Sequence, residues 1–335
     1  MYYDSKLTAL QDIFGTNDVR LGKRGVTVNG TTYPIVDDVI ILLEPRQYPT
    51  SLKNAFRAEG RELGGKKADF AEDIQFTFGE EWKKYPKILS EYEGEFAQYF
   101  DLVDLPGLQN ARVCDLGCGI GRWSYFLKNK CRQLILVDFS EAIFVARQNL
   151  RDVENPIFFM GDLQTLPFRN DFADFLFCLG VLHHLPTNAL EEVRRLKRFT
   201  PQILIYLYYA LDNRGFYFQH LLSMVTALRL MTSKVRSPSF RTIFTWFAAF
   251  IFYLPFLALG KAVHPLGLSH HIPLYEAYQG KSLERIRQDV YDRFFTRIEQ
   301  RFSKKQILAL KDTFDEVTIS NQLPYWHFLC QTYKQ

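Results

Sequence analysis

No two of the five cysteines (Cys114, Cys118, Cys131, Cys178 and Cys330) form a C-x-x-C pair, so a zinc site built on paired thiolates is not expected. Most of them fall in expected strands, where small buried thiols are ordinary. No apolar run follows Met1-Tyr-Tyr-Asp4, so no signal peptide is expected and the expected compartment is the cytoplasm. Charge of one sign is not in excess: 41 basic against 37 acidic residues leave a net charge of +4, and the basic residues are scattered rather than striped. That argues against a nucleic-acid partner. Disorder is also excluded, since 47% of the 335 residues are hydrophobic, enough for one large or two modest domains. What is abundant is aromatic: 30 Phe and 18 Tyr point to aromatic-lined pockets or an apolar face.

One further absence decides more. Val113-Cys-Asp-Leu-Gly-Cys-Gly-Ile-Gly-Arg122 reads as a strand that passes through an acid and three glycines into a helix. The dinucleotide fingerprint G-x-G-x-x-G would need glycine where Arg122 stands, and Gly117, Gly119 and Gly121 are spaced G-x-G-x-G instead. Glycines at such a turn let the backbone approach a ligand and adopt φ angles that other residues resist. Asp115 beside them would repel a pyrophosphate but could pair with a cationic amino-acid tail. These residues favour a nucleoside with a positively charged end over a dinucleotide, a description that S-adenosylmethionine (SAM) fits.

The surrounding rhythm is strand, turn, helix. Expected strands are Arg112–Leu116, Gln133–Asp138, 156–162, 173–179 and 202–208, with helices over 119–128, 141–151 (Ser140 as cap) and 188–199. This alternation implies a Rossmann-like α/β fold, a mostly parallel sheet covered by helices on both faces. Strands over 314–319 and 325–332 complete a seven-stranded sheet. Asp115, Asp138 and Asp162 each close or follow a different strand, so all three converge on the carboxyl edge where such sheets bind ligands.

At these residues the chain resembles class I SAM-dependent methyltransferases of the type 11 subgroup. The resemblance covers about residues 110 to 210, with a weaker echo at the C-terminus. It implies that Asp115, Gly117, Cys118, Gly119 and Gly121 hold the methionine portion of SAM, and that Asp138, followed by Phe139, accepts the ribose hydroxyls. Asp162 and Leu163 would read the adenine amino group, and Leu179-Gly-Val-Leu-His-His-Leu-Pro186 would line cofactor and acceptor. Methyl transfer is an in-line displacement from a sulfonium, so alignment and removal of a proton are the protein's main tasks. His183 and His184 are the ionisable groups nearest the expected reaction centre. Either is a candidate general base, or the pair only shapes its loop. No Asn/Asp-Pro-Pro-aromatic motif follows the fourth strand, which lowers the odds of a nucleic-acid base as acceptor.

The remaining segments divide by composition. Residues 1–45 read as a small β-rich module with a hairpin turning at Asn29-Gly30. Its end, Tyr33–Leu43, resembles a zinc-ribbon-like module found in or beside some methyltransferases, without that module's paired cysteines. Residues 46–109 read as a linker and a helical region opening at 76–82, with Trp82 either packed or forming a lid over the cofactor pocket. Residues 110–211 form the SAM-binding core. Residues 212–282 form an apolar helical insertion, and residues 283–335 form C-terminal helices and strands that complete the core. The insertion's uncharged run Thr242–Gly260 is nearly long enough to span a bilayer, although Pro255 interrupts it and a crossing would split the sheet. A helical cap and a peripheral membrane contact through residues 242–260 stay open. Either implies a small or lipid-like acceptor, with O-methylation favoured, and Tyr275 and Tyr278 as pocket residues. His264, His270 and His271 lack a companion carboxylate at helical spacing, so no metal is expected. Two alternatives are a non-catalytic SAM-binding scaffold at a membrane surface and an NAD-type oxidoreductase.

Overall fold

A computed structural model describes residues 2–58, 79, 82 and 84–333. Its strands are β1 Val19–Gly22, β2 Gly25–Val28, β3 Thr31–Val36, β4 Val39–Ile41, β5 Arg112–Leu116, β6 Gln133–Asp138, β7 Pro156–Met160, β8 Phe175–Leu179, β9 Gln202–Tyr206, β10 Glu316–Ile319 and β11 His327–Gln331. They form one sheet in the order β1-β2-β3-β4-β7-β6-β5-β8-β9-β11-β10. The pairings from β4 through β7, β6, β5 and β8 to β9 are parallel, and the remaining pairings are antiparallel. Every residue of β5, β7 and β8 is buried, because helices cover both faces of the parallel region.

The seven expected strands, β5 to β11, are present as a mostly parallel α/β sheet. The difference lies at the N-terminus, where a separate module was expected up to residue 45. Instead β4 pairs parallel with β7, so β1 to β4 extend the same sheet. The expected hairpin turn joins β2 to β3, with Asn29 at φ 48° and Gly30 at φ 80°, as a two-residue turn of type I′ requires. An unexpected helix, Leu7–Phe14, precedes them and ends on Gly15 in the left-handed region at φ 67°. Residues 76–78, 80 and 81 of the expected lid, and 59–69 of the expected linker, lie outside the described residues.

Two compact units emerge, residues 1–208 with 304–335 and residues 209–303. The helix Leu283–Phe295, expected to complete the sheet domain, belongs to the second unit. Its apolar face (Ile286, Val290, Phe294) meets Ala248, Ala249, Tyr253 and Tyr278 in a core of that unit's own. Pro255 does not interrupt the apolar helix as expected. The five-residue π-helix Ala249–Tyr253 lies ahead of it, and the helical path runs from Pro238 to Leu266. A π-turn is a common way to take up a local misfit in the hydrogen-bond ladder, and a proline creates one by lacking an N–H.

The buried Arg241 anchors this helix inside its unit. Its Nε donates to the Val235 carbonyl at 2.8 Å, one terminal nitrogen donates to the Tyr291 hydroxyl at 3.2 Å, and the guanidinium lies 4.9 Å from the Phe295 ring centre. Arg241→Ala removes these bonds and the packing of the stem. Urea unfolding followed by circular dichroism should show about 2–3 kcal/mol less stability.

Candidate functional site

The glycine turn after β5 is tied to β6 by backbone bonds from Gly117 and Cys118 to the Val137 carbonyl, at 2.7 and 3.1 Å. Gly117, Gly119 and Gly121 have φ of 74°, 54° and 72°, a region that L side chains resist. At Gly117 there is also no room. A Cβ there would lie 2.4 Å from Cγ2 of Val181, so the loop after β8 sits directly against the turn. At Gly119 a Cβ would lie 3.1 Å from Cε2 of Trp82, which puts the indole over the turn. The Arg122 guanidinium lies 4.3 Å from the Trp123 ring centre and 5.6 Å from that of Trp82. Cys118 is buried, with its thiol directed at the Gly119 carbonyl at 3.6 Å.

Three carboxylates lie in or just beyond β5, β6 and β7. Asp115, 2% exposed on β5, accepts a 2.7 Å bond from the Ser124 hydroxyl. Burial pushes its carboxyl up to about 8, with Asp138 adding repulsion and the Ser124 bond and Arg122 pulling the other way. Asp138, ending β6, bridges two loops. Its Oδ2 accepts from the Gly119 N–H at 2.8 Å, and its Oδ1 accepts from the Ser140 N–H and hydroxyl at 2.8 and 2.7 Å. Loss of water raises this carboxyl too, against the bonds from Ser140, Gly119 and Phe139. Ser140 therefore serves the acid before it, and also accepts from the Ala142 N–H at 3.3 Å. Phe139 packs half-buried against the sheet's hydrophobic core. Asp162, beyond β7, accepts from the Gln164 N–H at 3.0 Å and from Gln47 Nε2 at 3.1 Å, with Leu163 beside it.

Residues 114–199 match the family model described as a methyltransferase domain. Over those residues the chain carries a methyltransferase domain. Among curated proteins, this chain is 29% identical over 97 residues to phosphoethanolamine N-methyltransferase 3 of Arabidopsis thaliana, a match covering 28% of this chain and 20% of that protein. The chain thus spans about a fifth of the curated relative's length. A solved structure of Haemonchus contortus phosphoethanolamine N-methyltransferase 1, with phosphoethanolamine and S-adenosylhomocysteine, is 21% identical, with 41% of this chain and 32% of that one covered and a TM-score of 0.36. Magnesium protoporphyrin IX methyltransferase of Synechocystis PCC 6803, with bound S-adenosylhomocysteine, is 20% identical, with 52% and 73% covered and a TM-score of 0.32. Likeness at that level says nothing about the acceptor.

Within the methyltransferase domain, the loop after β8 starts at Leu179, 9% exposed, and continues through Gly180 at φ 81° into the short 3-10 turn Leu182–His184. His183 and His184 are 0% and 4% exposed. The His183 ring stacks on Tyr208 at 4.0 Å between centres, and His184 meets the same ring edge-on at 5.5 Å. Tyr206 and Tyr99 continue this aromatic cluster, with ring centres 5.2 Å apart. Asp101 and His327 stand beside it, with Nε2 of His327 2.6 Å from one Asp101 oxygen and the Ser320 hydroxyl donating to the other at 2.6 Å.

Tyr275 and Tyr278, expected as pocket residues, lie in the interior of the second unit. Tyr278 meets Tyr253 edge-on at 5.0 Å, and Tyr275 packs its ring against Gly260. Sequence reasoning missed Ser124, Gln47 and the Tyr99/Asp101/His327 group. The first two are separated from their acids by nine and 115 positions and sit in no motif. Among the described residues no group of three His, Cys, Asp or Glu could hold a metal ion.

Proposed function

We propose that this chain is an enzyme that transfers the methyl group of SAM to a small or lipid-like acceptor, with an oxygen nucleophile favoured. The observation that carries the reading is the convergence of the glycine turn with Asp115, Asp138 and Asp162 on one edge of the sheet. In that frame Asp138 holds the ribose hydroxyls, Asp162 and Leu163 meet the adenine, and Asp115 faces the cationic end of the cofactor. The acceptor oxygen attacks the methyl carbon in line, the carbon–sulfur bond breaks, and sulfur keeps the electron pair. Neutral S-adenosylhomocysteine leaves, and the hydroxyl proton passes to His183 or His184. The contact between the loop that bears these histidines and the glycine turn, through Val181, supports this assignment.

Asp138→Ala should weaken SAM binding by about 1.5–3 kcal/mol, the worth of charge-assisted bonds. Calorimetric titration reads this directly, and an unchanged affinity would mean the ribose site is elsewhere. Tight NAD(H) binding without SAM binding would overturn the whole reading. Labelled SAM incubated with metabolite and lipid extracts, and with phosphoethanolamine, identifies the acceptor by where the methyl label goes. Absence of S-adenosylhomocysteine release from every mixture would favour a cofactor-binding scaffold.

A further inference from the structure

The second unit turns an apolar face outwards. On the helix from Pro238, Phe240, Ile243, Phe247, Phe250 and Ile251 recur on one side and are 39–68% exposed. On the helix Phe216–Thr232, Phe216, Met224 and Met231 share one side and are 75%, 71% and 63% exposed. Core packing does not explain side chains so placed, and a water-facing helix surface carries charge instead. The helix Pro238–Leu266 is long and apolar enough to cross a membrane, yet only 28% of its most apolar stretch is buried.

Charge accompanies this face in one sign only. Between Asp212 and Glu276 there is no acidic residue, while Arg214, Arg229, Lys234, Arg236, Arg241 and Lys261 are all basic. Arg214 pairs with Glu276, Arg229 bonds the Thr296 and Arg297 carbonyls near Glu299, and Arg241 is held inside as described. At the surface stand the exposed Lys234, Arg236 and Lys261, the first two ahead of the apolar helix and the third near its far end. Trp246 sits between the two regimes, 40% exposed, with the Arg287 guanidinium 3.8 Å from its ring. An amphipathic indole next to cations is the usual signature of a headgroup boundary.

The inner side of the same helix decides its orientation. Ala248, Ala249 and Tyr253 are packed against Leu283–Phe295, which carries Glu284, Arg285, Arg287, Asp289, Asp292 and Arg293. If Pro238–Leu266 crossed a bilayer, that charged partner would enter the hydrocarbon with it. We infer that the unit 209–303 docks on an anionic membrane surface, with the Pro238–Leu266 helix lying in the plane of the interface and Lys234, Arg236 and Lys261 among the headgroups. The inference stands apart from the reaction assigned above.

The full-length chain should co-sediment with phosphatidylcholine vesicles containing phosphatidylglycerol and much less with phosphatidylcholine alone, and high salt should release it. Lys234→Gln and Lys261→Gln should each weaken binding about fivefold, the worth of one cation at an anionic surface. Phe247→Glu should abolish sedimentation while its thermal unfolding stays unchanged, because the side chain is already outside the core. If that variant fails to fold, brominated lipids decide on the native sequence: they should quench Trp246, and Trp246→Phe should remove the quenching. Retention in the supernatant with both vesicle types overturns the inference, as does salt-insensitive binding equal on both. It is also overturned if the chain self-associates, Phe247→Glu makes it monomeric, and neither form binds vesicles. SAM binding, measured on the same samples, is expected to be unaffected in every arm.

Discussion

Gly117→Val should lower stability by about 2–5 kcal/mol and weaken SAM binding on the order of a hundredfold. Two costs act together. The residue has a φ of 74°, where a β-branched side chain is strained, and its Cβ would enter the space of both Val181 methyls, at 2.4 and 2.9 Å. Val181 can move only by shifting the loop that leads to His183 and His184. The substitution therefore displaces the turn and the loop after β8 at once. Gly180→Ala separates the two costs, since its φ of 81° is equally unfavourable but nothing lies within 4 Å of the new carbon. That variant should lose only about 1–2 kcal/mol, the backbone part. Urea unfolding and calorimetric titration of both proteins test this. Equal losses would mean that Val181 imposes no constraint.

The second large effect concerns pH. Asp115 ordinarily ionises near 3.8 and is raised to about 8 in the folded chain, chiefly by burial. A raised acid binds a proton on folding, so its contribution is fully present below 3.8 and is lost as pH climbs towards 8. The slope approaches about 1.4 kcal/mol per pH unit inside that window, and Asp115→Asn should flatten it. Cofactor binding runs in the opposite sense. If the cationic tail of SAM pairs with the ionised carboxylate, binding expels the proton and affinity rises with pH up to about 8. Titrations in two buffers of different ionisation enthalpy should reveal that proton for the native chain and not for Asp115→Asn. Identical pH profiles for the two would show that Asp115 does not meet the tail.

Strands β5 and β6 have the bounds expected from their residues, Arg112–Leu116 and Gln133–Asp138, because each carries a buried apolar stretch (Val113 and Cys114, and Leu134 to Val137) set off by polar residues. The site residues within them were legible for a related reason: a glycine turn and acids at strand ends form contiguous patterns. The helix expected from residue 188 begins at Ala189, and Asn188 caps it by accepting from the Leu190 and Glu191 N–H groups. Partners across the fold were not readable. Nothing near Ser124 or Gln47 says that they hold Asp115 and Asp162, since only tertiary folding brings those pairs together. The helix Leu283–Phe295 has apolar residues every three or four positions, but such a period does not tell which core an apolar face will join. The helix Leu7–Phe14 is two turns long, and its apolar residues were absorbed into a β-rich reading of the whole segment.

The parallel pairing of β4 with β7 has a consequence for solubility. Without residues 19–41, β7 would be the last strand on its side, five apolar or proline residues long with a bare row of amide and carbonyl groups. Such a border recruits other chains. The N-terminal strands move that border outwards to β1, a four-residue strand whose Arg20 is exposed and ion-paired with Asp18. Short length and charge both discourage a foreign strand from adding there, so the leading segment acts as a guard for the apolar strand β7.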